Sequence, residues 1–267
     1  MLSTYLENAI LNHVLGAVAF TPPSSMQLAL FTTACTDDAI GTEVSGGGYS
    51  RASITNNTTN WTNASAGVKT NATVVTFPAL SASWGSVTHW ALMDGTNILC
   101  HGAFTTARTF AVGEVPRISA TAMSLTAPSG WSTALRNAIM DHVFGATTHT
   151  PDATVYLGLC ATAPTADPFT EVETIATDGY ARVSITNNTT NFPSASEGAK
   201  SNGATFTFPA ATGAWGASAA THWVLSKSST SLTAANMLMY GSIASPVVIA
   251  NTDVAAFAIG DMDLALD

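Results

Sequence analysis

Positive charge is scarce in this sequence. Eight Lys and Arg stand against seventeen Asp and Glu in 267 residues, for a formal net charge of −9. A surface that tracks nucleic acid needs clustered cations, so the balance speaks against DNA or RNA as a partner. Charge of either sign is rare: 9% of residues carry it, against roughly 25% in typical soluble proteins. Long exposed helices, usually rich in Glu and Lys, are poorly supported by such a chain. Cysteine is limited to Cys35, Cys100 and Cys160, with no C-x-x-C spacing, which argues against a disulfide framework or a zinc site. Cys100 and Cys160 stand in the apolar runs "NILCHGAF" and "VYLGLC" and read as small buried hydrophobes. No run of about 18 uninterrupted apolar residues is present, so no transmembrane helix and no membrane partner are expected. The opening "MLSTYLENAILNHVLGAVAF" lacks early basic residues and is interrupted by Glu7, Asn8, Asn12 and His13. It reads as an amphipathic helix rather than a signal peptide, and synthesis in the cytoplasm is expected.

Catalytic signatures are missing as well. The sequence contains no G-x-S-x-G elbow, P-loop, H-E-x-x-H or dinucleotide fingerprint,. "VSGGGY" at 44–49 reads as a turn. Asp37, Asp38 and Glu43, with Asp167 and Glu171 as loose counterparts, lack the D-x-[DN]-x-[DN]-G pattern of a Ca²⁺ loop and read as solvated acidic loops. No cofactor and no metal site are expected, and the chain is not expected to be an enzyme.

What the sequence does hold is Thr, Asn and Gly in quantity, and a repeat. "SITNNTTN" occurs at 53–60 and again, unchanged, at 184–191. Around it "GYSRASITNNTTN" (48–60) returns as "GYARVSITNNTTN" (179–191), and "TFPA", "WG" and "THW" return in the same order. "NAI" at 8–10 returns at 137–139, His13 as His142, and Thr21-Pro22 as Thr150-Pro151. The offset drifts only between matched blocks, as expected when insertions collect in loops. The period is that of a whole domain. Two homologous domains are predicted, 1–127 and 131–267, joined by the short "TAPSG" at 126–130.

Within each copy Ser3 or Ser132 can cap a helix that ends near Gly16 or Gly145. Leu6, Ile10 and Val14, and again Leu135, Ile139 and Val143, fall on one helical face. Strands are predicted over 26–32 and 155–162, over 49–54, over 72–79 and 204–210 up to Pro78 and Pro209, over 87–94 and 98–104, and over the alternating runs 116–127 and 254–267. The fold class is mainly β: two homologous antiparallel β-sandwich domains, each with a short N-terminal α-helix. The repeated polar run follows a strand, where Asn and Thr side chains bond nearby backbone. Asn56, Asn57, Thr58, Thr59 and Asn60, with Asn187, Asn188, Thr189, Thr190 and Asn191, are therefore the candidate interaction loops. His13 and His142 suit the carboxyl end of a helix; His89 and His222 read as packing residues beside Trp90 and Trp223. Arg51 and Arg182, and Lys69 and Lys200, match across the repeat, and each is expected to pair with a loop carboxylate. Trp61, Trp84, Trp90, Trp215 and Trp223 read as core, with a carbohydrate-stacking platform as the alternative.

The succession "YLENAILNHVLG", "TPP", "LALFTT", "GTEVSGGGYSR", "FPA…WGSVTHWALMD" and "LCHGAF" resembles the small virion structural proteins of tailed bacteriophages, labelled tail-fibre or minor tail proteins. The second copy keeps the helix, "TEV…GYARVSI", "FPA", "WG" and "THW" but not the triple Gly, and the tandem arrangement itself departs from that family's pattern. The resemblance implies a non-enzymatic virion protein, in the tail or an attached fibre, made in the host cytoplasm. Other virion proteins are its implied partners, and a tandem chain invites a symmetric homo-oligomer. A capsid decoration protein, and a carbohydrate-binding module that engages a host glycan, are the alternatives.

Overall fold

The computed structural model of the protein describes residues 1–127, 130–165 and 168–266. The chain divides into two compact units: the first comprises Met1–Ala9, Thr21–Ala127 and Asn137–His149; the second comprises the described residues of Ile10–Phe20, Pro128–Arg136 and Thr150–Asp267. The units follow the two sequence copies except in the helices and the segments that follow them to Phe20 and His149. Helix α1 (Thr4–Val14) gives its first half to the first unit and its second half to the second; helix α2 (Thr133–Val143) is divided the opposite way. Two residues of the "TAPSG" junction, Pro128 and Ser129, lie outside the described residues.

Both helices start and stop for the reasons their sequences suggest. Ser3 Oγ accepts the Leu6 N–H at 3.2 Å, and Ser132 Oγ accepts the Leu135 N–H at 3.1 Å, each satisfying one orphan donor of a first turn. Gly16 turns the chain out of α1 at φ +116°, a conformation that favours glycine. Leu6, Ile10 and Val14, and Leu135, Ile139 and Val143, are all buried.

In the first unit, β1 (Ser25–Phe31), β2 (Ala52–Thr55), β5 (Val87–Asp94) and β6 (Asn97–Arg108) form a four-stranded antiparallel sheet in the order β2-β1-β5-β6. The short strands β3 (Val68–Thr70) and β4 (Val75–Thr76) pair with β8 (Ser124–Thr126) and β7 (Arg117–Ile118). The predicted closing strand over 116–127 is thus two strands, broken at Thr121, which takes φ +62°. The predicted strand over 72–79 shrinks to two residues before Phe77-Pro78, since Pro offers no N–H to a ladder. Leu2 bridges Cys100 on the edge strand β6, and Ser3 N–H donates to Leu99 O at 3.1 Å, so the helix is tied to the sheet by its own leader. Ala29, Phe31, Cys35, Ala91, Met93 and Ile98 form one buried cluster.

The second unit repeats the plan. Strands β9 (Thr154–Cys160), β10 (Val183–Thr186), β13 (Ala220–Ser226) and β14 (Met237–Val247) form the sheet β10-β9-β13-β14. Strands β11 (Ala199–Lys200) and β12 (Phe206–Thr207) pair with β16 (Leu264–Ala265) and β15 (Ala256–Phe257). Even the irregularities match. Val87 pairs with Arg108 while His89 pairs with Ala103, and Ala220 pairs with Val247 while His222 pairs with Ser242. Four residues of β6 and four of β14 therefore leave the ladder opposite a single residue, a larger irregularity than the usual one-residue bulge,.

Candidate interaction surfaces

The repeated polar run ties a strand end to a helix carboxyl end. In the first unit Asn56 is buried, and its Nδ2 donates to Pro23 O and to Val143 O, both at 2.9 Å. In the second unit Asn187 is buried likewise; its Nδ2 donates to Val14 O and Asp152 O at 2.9 Å, and its Oδ1 accepts the Gly16 N–H at 2.6 Å. The bonds to Val143 O and Val14 O occupy carbonyls at a helix carboxyl end, which have no partner within the helix,. Asn57 and Asn188 close the turn: Oδ1 of each accepts two backbone N–H groups, those of Thr59 and Asn60, and of Thr190 and Asn191. Asn60 and Asn191 reach back to Thr55 O and Thr186 O at 2.9 and 2.8 Å. Only Thr58, Thr59, Thr189 and Thr190 are left exposed at the tips.

The two lysines also serve the helix ends, and here the expectation of loop carboxylates is corrected. Lys69, 1% exposed, meets Asp141 on α2 at 2.5 Å; Asp141 Oδ1 also accepts the Ala64 N–H at 2.8 Å. Among the described residues Lys200 meets no carboxylate. Its Nζ donates to Asn12 Oδ1 at 3.0 Å and to the Leu15 carbonyl, and Asn12 Oδ1 accepts the Ala195 N–H at 2.8 Å. Burial pulls the Lys200 ammonium down to about 8, because a charge removed from water without a counter-charge is disfavoured. Residue type explains the missed partners: a buried Lys seeks the nearest fixed acceptor, here one on a helix 72 or 188 positions away in sequence.

The arginines do pair with loop carboxylates. Arg51 meets Glu43 at 2.8 Å with both side chains 23% exposed, whereas Arg182 and Glu171, 3.0 Å apart, are sealed at 0% and 1%. The reading of Glu171 as a solvated acid is therefore corrected: Tyr180 OH also donates to it at 2.8 Å. Gly158 makes the room, since a Cβ there would sit 1.8 Å from Glu171 Oε1; the matching residue of the first copy is Ala29. The Arg51 guanidinium holds the Glu43 carboxyl below its usual range. Asp37 Oδ1 lies 2.8 Å from His101 Nε2, while its expected counterpart Asp167 lies outside the described residues.

The remaining candidates are used in cohesion. His13 Nδ1 accepts the Phe20 N–H and His142 Nδ1 the His149 N–H, each at 3.3 Å. His89 and His222 each place Nδ1 2.8 Å from the preceding threonine hydroxyl. All three cysteines are buried and free, and burial pushes the Cys100 and Cys160 thiols up to about 12, far from reactive. Trp61, Trp84, Trp215 and Trp223 are buried. Tyr49, Phe77 and Trp84 form an aromatic cluster with edge contacts at 5.2 and 6.2 Å, which Tyr180, Phe208 and Trp215 reproduce at 5.0 and 6.1 Å. A stacking platform built from these four indoles is thereby removed; Trp90 alone of the five is half-buried. Among the described residues no group of three or more His, Cys, Asp or Glu could hold a metal ion, and no helix is long and apolar enough to cross a membrane.

A family model described as "Podophage GP4 fiber I protein gp80" matches the chain twice, over residues 1–126 and 130–265. No curated protein matches it.

Proposed function

Because the chain belongs to the podophage GP4 fiber I protein gp80 family, matched over nearly its whole length in two copies, we propose that it is a non-enzymatic structural component of a phage virion, built into a tail-associated fibre. The two copies, 1–127 and 131–267, are repeats of one fibre module. The observation that carries this reading is how the polar side chains are used. Histidines, acids, amides and lysines that a catalytic site would need are bonded to helix ends, turns and one another. A buried polar network satisfied this way rigidifies a fold, which is the property a fibre demands. The exposed tips at Thr58–Thr59 and Thr189–Thr190 are what the two loops offer to neighbouring virion proteins or to further copies in a symmetric homo-oligomer.

Immunogold labelling of intact virions with an antibody to this chain tests the placement. Gold over fibres at the tail supports it; gold spread over the capsid replaces it with the decoration reading, and no gold on virions removes both.

A further inference from the structure

The first unit carries a groove of about 700 Å³ between its four-stranded sheet and its short ladders. Leu28 and Leu30 of the sheet and Met123 lie along it, and Trp90, Phe104 and Phe110 add aromatic surface. Gly102, opposite Trp90 in the β5–β6 ladder, lets the indole lie flat: a Cβ there would fall 2.8 Å from the ring.

Two cations stand on the same groove. Arg108 and Arg117 line it, both are exposed, and neither side chain has a hydrogen bond or ion pair among the described residues. In a chain with eight Lys and Arg and a net charge of −9, this is an unusual concentration. Arg51, Lys69 and Arg182 are spent in ion pairs and Lys200 is buried. The acid nearest these arginines along the chain, Glu114, also lines the groove, with its carboxylate tied to the Ala111 N–H at 2.9 Å.

The second unit has the same strands without these groups. Strand register places Val247 where Arg108 stands and Ala256 where Arg117 stands, and Trp223, the counterpart of Trp90, is 2% exposed. The copies share one fold and differ in the chemistry of the groove. Cohesion does not explain the difference, since Val and Ala serve the same ladder positions.

We propose that this groove binds an anionic oligosaccharide, a glycan bearing carboxylates such as a polyuronate, once per chain. Sugar C–H faces stack on the Trp90 indole, with Phe104 and Phe110 extending the apolar surface, and Arg108 and Arg117 take uronate carboxylates in charge-assisted, bidentate hydrogen bonds. The assignment rests on the groove itself and not on where the chain sits in a virion.

Isothermal titration of the full chain with galacturonate hexamer at low ionic strength tests it, with maltohexaose as the neutral control. The expected result is one site per chain for the hexagalacturonate, weakened by added salt, and at least tenfold weaker binding of maltohexaose. Arg108→Gln and Arg117→Gln should each weaken the acidic sugar about tenfold with unchanged melting curves, because neither side chain is bonded within the fold. The proposal is overturned by the absence of binding, by binding that both variants retain, or by hexaglutamate binding as tightly through the same arginines, which would assign the groove to an acidic peptide.

Discussion

Lys200 reaches Asn12 Oδ1 at 3.0 Å where, in the other unit, Lys69 reaches Asp141. The positions correspond, and so do the second bonds, from Ala195 N–H and Ala64 N–H. Among the described residues one pair has a counter-charge and the other does not. Asn12→Asp should supply it, stabilising the protein by about 1 kcal/mol at pH 7 and raising the melting midpoint by roughly 2–4 °C. The pH dependence gives a sharper check. Lys200 falls to about 8 in the folded protein from 10.5, so between these values the unfolded chain binds more protons. Stability should rise with pH across that window, with the full penalty present below it. Asn12→Asp should abolish the rise. A variant melting curve with the same alkaline gain as wild type would contradict this.

The two arginine–glutamate pairs differ in burial, and their removal should differ in cost. Glu171→Gln leaves Arg182 charged in a site closed to water and should cost about 3–5 kcal/mol. Glu43→Gln at the half-open pair should cost about 1 kcal/mol or less. Chemical denaturation of the two variants measures both, and equal costs would refute the distinction.

Thr121 and Thr252 hold left-handed backbone at φ +62° and +75°, where the matching residues of the other copy are Gly260 and Gly113, at +86° and +89°. A β-branched side chain is strained there. Thr121→Gly and Thr252→Gly should each stabilise by about 1 kcal/mol, a reversal of the usual cost of adding glycine. A fall in melting midpoint would show that the turns have other constraints.

The polar loops separate into anchors and tips. Asn187→Ala removes three bonds, one of them to Gly16 N–H, and should cost roughly 2–4 kcal/mol. Asn56→Ala should cost less, since Asn56 Oδ1 has no partner among the described residues. Thr58→Ala and Thr189→Ala should stay within about 0.5 kcal/mol. Comparable losses at tips and anchors would contradict the division.

Much of this was legible in the sequence, and the exceptions have physical causes. Serine caps, the Leu6–Ile10–Val14 stripe and the strands around Trp90 and Trp223 follow from local periodicity and capping chemistry, which act within a few residues. Both "SITNNTTN" runs grip a helix carboxyl end, a contact that the run itself does not announce. Periodicity names the face a helix buries but not the sheet that receives it, so the division of α1 and α2 between the units was hidden. The breaks at Thr121 and Gly260, which split the predicted strands 116–127 and 254–267, were hidden because the alternating pattern runs on through both. The groove was hidden because the residues that line it, Arg108 and Arg117 among them, come from separate ladders, β5–β6 and β4–β7.

The central claim is that this chain is a fibre component of a phage particle. Negative-stain microscopy of particles assembled without it tests that claim most directly. The account predicts filled heads and complete tails that lack the fibre, with the fibre restored when the chain is supplied during assembly. Particles with every fibre in place, or with capsids that fail while fibres remain, would contradict it.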